Sequence, residues 1–209
     1  MFKVCFTLFV ALAMLGACAT DQSAEKSKQE VVKTPEISKL AGFRDSTVLV
    51  DGQAPFVIPH YNDSSYTILI CVRHAEKVPD GSKNPPLTPE GEARAARLGF
   101  LLSNTRIDRI GTSNVKRNLQ TADAVKTITG ETALEVFAPE LVYEWAQDLL
   151  IKDPGQHVLY VGHSNTIPEL LNRLTAGVGY SDIPDVDYGR LYVVAARGLG
   201  ESEVWEFRY

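Results

Sequence analysis

Disulfide bonds, a basic nucleic-acid surface, a membrane-spanning helix and a histidine-built metal cluster all lack material in this sequence. Its 209 residues hold three widely spaced cysteines, Cys5, Cys18 and Cys71, too few for a disulfide framework. Lys and Arg number 21 against 26 Asp and Glu, a net charge of −5. That balance argues against nucleic acid as a partner, and an anionic ligand would have to be drawn by a local cluster against the overall field. The longest apolar run falls well short of the roughly 20 residues that a spanning helix needs. The four histidines, His60, His74, His157 and His163, fit no short metal-ligand spacing, so no metal and no other cofactor is expected. Internal repeats are absent, and the length suits one domain with a substantial core.

The first residues read as a targeting segment rather than as fold. Lys3 precedes the apolar run Phe6 to Gly16, the pattern of a signal peptide over residues 1–17. The run ends in Leu15-Gly16-Ala17-Cys18, which resembles the bacterial lipobox, where the cysteine is diacylated and becomes the new N-terminus. The alternative is an ordinary secretory signal with a chance cysteine. Lipidation at Cys18 would anchor the chain durably to a membrane, since each buried methylene contributes about 0.8 kcal/mol. Ala19, with no Asp at that position, resembles an outer-membrane signal and implies an exported protein facing the periplasm. Residues 18–45 open on Asp, Gln, Ser, Lys and Glu with few large apolar residues, the composition of a flexible tether. The domain is expected over 46–209, with Cys71 as a core residue.

Strands and helices alternate through that domain. A small hairpin is expected from Thr47-Val-Leu-Val50 and Phe56-Val-Ile58. Tyr66 to Val72 is an apolar, largely β-branched run that ends in Arg73-His74, a buried strand delivering a cation and an imidazole to a sheet edge. Thr88-Pro89-Glu90 opens a helix to Leu102 as N-cap, N1 proline and first-turn acid. A strand over Ile107–Thr112 follows, then a helix from Val115 to about Thr129 that Ser113 can cap, and a strand over Leu134–Phe137. Pro139 starts a further helix to about Ile151. His157 to Val161 is a second buried strand ending in Gly162-His163, with a helix through Leu174 that Asn165 and Thr166 cap, and a final hairpin around Gly198 and Gly200. This order implies a three-layer α/β/α sandwich with a mainly parallel central sheet.

In a parallel sheet the ends carrying His74 and His163 lie at one edge, where ligands bind in open α/β folds. Arg117, in the first turn of the helix after Ser113, adds a second guanidinium near outward-pointing backbone N–H groups. Two arginines, two imidazoles and a helix N-terminus suit a tetrahedral dianion, because the guanidinium fork matches phosphate geometry.

Four pieces in order, Arg73-His74-Ala75-Glu76, Leu87-Thr88-Pro89-Glu90-Gly91, Ser113 to Ala122 and Val161-Gly162-His163-Ser164-Asn165-Thr166, resemble the histidine phosphatase superfamily, branch 1, with its phosphoglycerate-mutase-like members. The resemblance runs from about Tyr66 to the C-terminus. It implies His74 as the nucleophile that becomes a phosphohistidine, with Arg73, Arg117 and His163 binding the substrate's phosphoryl oxygens and no metal required. It also implies an acid after the Arg117 helix. At the position where relatives carry one, this chain has Ala138, so Glu140 is the first candidate, Glu76 the second, and a site without an acid the third. Glu144, Arg94 and Arg97 read as solvated helix charges, His60 and His157 as surface or satisfied core histidines, and Asp187-Tyr188 as a structural fixture of the last strands.

A phosphomonoester hydrolase acting on a small phosphorylated substrate is therefore expected. A mutase would need added segments over the pocket, and little sequence between Arg117 and His163 is spare for them. A non-catalytic, phosphate-binding lipoprotein of the cell envelope is the rival from another class. A nucleophile-elbow serine at Ser164 is disfavoured by Thr166 in place of the final small residue and by the lack of any histidine after His163. Oligomeric state is not legible in the sequence.

Overall fold

The computed structural model describes residues 39–130, 133–177 and 179–209. The expected signal peptide, the lipidation site Cys18 and the first part of the tether lie outside the described residues. A six-stranded sheet forms the centre: β4 (Thr67–Arg73), β5 (Arg109–Ser113), β6 (Ala133–Phe137), β7 (His157–Gly162), β8 (Arg190–Gly198) and β9 (Glu201–Arg208), in the spatial order β6-β5-β7-β4-β8-β9. The four strands from β6 to β4 run parallel, and β8 and β9 are antiparallel. The mainly parallel α/β architecture expected from the sequence is the one found.

Helices α1 (Pro89–Leu102), α2 (Lys116–Thr129), α3 (Val142–Lys152) and α4 (Thr166–Leu174) cover both faces. The alternation of β4 shows how. Ile68, Ile70 and Val72 meet Leu98, Leu102, Ala122 and Val125 of α1 and α2 on one face. Leu69 and Cys71 join Val142, Leu149, Ile167 and Leu171 of α3 and α4 on the other. All seven residues of β4 are buried, as a strand covered on both faces requires.

Two boundaries differ from the sequence expectation. The small hairpin is a three-stranded antiparallel sheet, β1 (Leu40–Arg44), β2 (Thr47–Val50) and β3 (Phe56–Val57). The tether therefore does not extend to residue 45: Leu40 and Phe43 are core residues, and β1 packs against α1. The helix expected from Pro139 begins as a 3₁₀ turn, Pro139–Leu141, before α3.

The topology creates the crevice. The chain steps from β4 out to β5 and β6, then returns to insert β7 between β5 and β4. The helices after β4 and β7 lie on opposite faces of the sheet, so the two connections diverge at a topological switch point. Arg73 and Gly162 are paired across β4 and β7, which puts His74 and His163 side by side.

Candidate active site

Each imidazole is fixed in one tautomer by a group that can act only one way. Nδ1 of His74 lies 2.8 Å from the Ala75 carbonyl oxygen, an acceptor only, so Nδ1 carries the proton and Nε2 the lone pair. Arg117 Nε donates to that lone pair at 3.1 Å. Arg117 Nη2 also faces Nδ1 of His163 at 3.4 Å. Because Arg117 only donates, His163 carries its proton on Nε2 and gives it to Ser113 Oγ at 2.8 Å. The two rings meet edge to face with centroids 5.6 Å apart.

Both rings are uncharged. Burial, aided by Arg117, Arg73 and His163 and opposed by the Ala75 carbonyl, pushes His74 down to about 3. Burial, then Arg117, Arg73 and Lys77, pushes His163 down to about 4. Burial and Arg73 also lower Arg117.

Backbone ties hold these groups in place. His74 N–H donates to the Gly162 carbonyl. Thr121 Oγ1 accepts from Ala75 N–H and donates to the Arg117 carbonyl. Asn118 Nδ2 donates to the Val161 and Gly162 carbonyls, and Thr166 Oγ1 accepts from His163 N–H. Helix α2 starts with Lys116 and Arg117 and no acid, against the preference of a helix N-terminus for negative charge. An anion bound there would reverse that penalty.

Arg73 has a task that the sequence did not disclose. Its Nη1 donates to the carbonyls of Pro184, Asp185 and Asp187 at 2.8, 3.0 and 3.2 Å, and Nη2 pairs with the exposed Asp185 carboxylate at 3.2 Å. The buried Nε–H has no partner among the described residues. Arg73 thus pins the loop before β8 and keeps Nε–H for a ligand.

The structure brings Arg73, His74, Arg117 and His163 together. No contact between Glu140 and these four is seen among the described residues: this exposed residue follows β6, two strands from β7 and three from β4. Glu76 accepts from Arg94 Nε at 2.7 Å. Arg94 is therefore no free surface charge, since it also donates to the Tyr209 carbonyl. Ser113 caps nothing, and Asn84 Oδ1 instead accepts from Lys116 N–H at the start of α2. Asn165 makes no side-chain cap. His157 is a core histidine whose Nε2–H donates to the Tyr61 carbonyl, while its buried Nδ1 has no partner among the described residues, and His60 stacks on Tyr66.

Sequence reading missed two residues of the site. Ser113 stands at the end of a strand, where its polarity signalled a cap. Tyr188 has its ring over the Arg73 guanidinium at 4.3 Å and 6.0 Å from the His74 ring. It sits in an irregular loop, and no periodicity marks it. Asp187 does fix the last strands, through Arg190 and Arg208.

A buried, neutral, oriented imidazole among arginines at the switch point of an α/β domain suits the binding of a tetrahedral dianion. Residues 69–139 match the model of the histidine phosphatase superfamily (branch 1). No curated protein matches the chain. Among solved structures, the chain is similar to the protein histidine phosphatase SixA complexed with tungstate, at 19% identity and TM-score 0.58, covering 68% of this chain and 96% of that one. It is also similar to a mycobacterial glucosyl-3-phosphoglycerate phosphatase, at 12% identity and TM-score 0.54, covering 69% and 98%. At these identities the likeness is one of fold alone.

Proposed function

We propose that the chain is a metal-independent phosphomonoester hydrolase working through a phosphohistidine on His74. The observation that carries this reading is the tautomer of His74: Nδ1–H is tied to the Ala75 carbonyl, leaving Nε2 unprotonated in the pocket. A pocket that only bound phosphate would gain more from a protonated imidazole than from a neutral one.

Once a phosphoryl oxygen takes over the Arg117 Nε–H that caps it, the lone pair of His74 Nε2 attacks phosphorus, and the leaving oxygen departs on the far side. Arg117 and the free Nε–H of Arg73 hold the non-bridging oxygens and spread the charge that develops on them, joined by the Nε2–H of His163 when a phosphoryl oxygen replaces Ser113 Oγ as its acceptor. Loss of one such donor costs about 3 kcal/mol of barrier. Water then attacks the phosphohistidine and regenerates neutral His74. The family match and the phosphatases among the similar folds support this assignment. The Cys18 motif supports lipid anchoring in the cell envelope, with the domain in an exported compartment.

Detergent-solubilised full-length protein is expected to release phosphate from p-nitrophenyl phosphate without added metal, and His74→Ala to abolish it. Phosphate binding without turnover would instead establish the non-catalytic lipoprotein.

A further inference from the structure

Resting on the phosphatase reading above, we propose that Tyr188 is the proton donor to the leaving oxygen, a phenol in the place where a carboxylic acid was expected. The loop that carries it is held on all sides. Ile183 N–H donates to the carbonyl of Ser164, next to His163, and Tyr209 N–H donates to Gly189. Arg73 gathers the carbonyls of Pro184, Asp185 and Asp187. Arg190 and Arg208 clamp the Asp187 carboxylate. Tyr188 is thus fixed between two anchored neighbours, with its ring against both Arg73 and His74.

Its hydroxyl makes no hydrogen bond among the described residues and is not among the buried unpartnered atoms, so it is open to a ligand.

The carboxylates nearest the site are paired with arginines. Glu76 is bonded to Arg94 and Asp185 to Arg73. Asp187 is lowered by Arg190 and Arg208 despite burial, which acts the other way. A carboxylate in such a pair has no proton to give, whereas a phenol carries one at neutral pH.

As Nε2 of His74 bonds to phosphorus and the bond to the leaving oxygen breaks, the phenol proton passes to that oxygen, releasing an alcohol. The phenolate, beside Arg73 and Arg117, then takes a proton from the water that attacks the phosphohistidine. The P–N bond breaks, inorganic phosphate leaves, and both His74 and Tyr188 return to their starting states.

Tyr188→Phe keeps the ring, and with it the Arg73 contact, while removing the proton. With the full-length protein, kcat/KM toward glycerol phosphate is expected to fall about 100-fold or more, while that toward p-nitrophenyl phosphate, whose leaving group barely needs protonation, stays within about threefold. Equal losses on both esters, or no loss on either, would overturn the proposal, as would a selective loss on the alkyl ester in Glu140→Gln. Unsubstituted protein that cleaves the nitrophenyl ester but no alkyl phosphate would also overturn it, leaving the phosphatase reading intact. Failure on every ester would remove both.

Discussion

His74 and His163 are held neutral chiefly by burial and by the arginines beside them, and that has a consequence for stability. Free histidine titrates near 6.5, whereas the folded values are about 3 and about 4. Between these limits the unfolded chain binds protons that the folded one does not. The contribution of both groups is therefore complete above pH 6.5 and is lost as pH falls through the folded values. Urea midpoints measured from pH 7 down to 4 should decline, and His163→Gln should flatten that decline; an unchanged slope would contradict the burial account. The four residues of the pocket were legible as types because Arg-His and Gly-His each ended an apolar run. Tyr188 and Ser113 were not, because their roles depend on which distant segment folds over them. The same holds for Arg94, whose partner Glu76 lies in another connection.

Among the elements, α1 followed its sequence most closely. Thr88 Oγ1 accepts from Gly91 N–H as an N-cap should, with Pro89 behind it. Gly91 has a second duty visible only in three dimensions: a Cβ there would stand 2.3 Å from the Glu76 carbonyl oxygen. It lets the helix start lie directly on the connection that carries His74. Gly91→Ala is expected to lower stability by roughly 2 kcal/mol, the usual scale of an overpacked contact, and to reduce turnover as the His74 connection shifts; thermal unfolding and p-nitrophenyl phosphate assays would check both. Strand β1 escaped sequence reading because two buried positions, Leu40 and Phe43, follow a polar stretch without a sustained alternation. The 3₁₀ start of α3 shows the opposite error, in which Pro139 correctly marked a beginning but not its geometry.

For the whole molecule, strand order decides where the chemistry falls. Inserting β7 between β5 and β4 places two chain-distant imidazoles in register, and no local pattern announces that order, although βαβ alternation announced the parallel sheet. The anchor proposed at Cys18 belongs to this scale too. Cys18→Ala should move the protein from the membrane fraction to the soluble one while leaving phosphatase activity unchanged, and fractionation followed by assay would read both. The central claim is tested most directly by quenching the full-length protein during turnover of a radiolabelled phosphoester and mapping the label. An acid-labile, base-stable phosphoramidate on Nε2 of His74, absent in His74→Ala, is the expected result. Label on another residue, or turnover with no covalent phosphoprotein at any quench time, would contradict it.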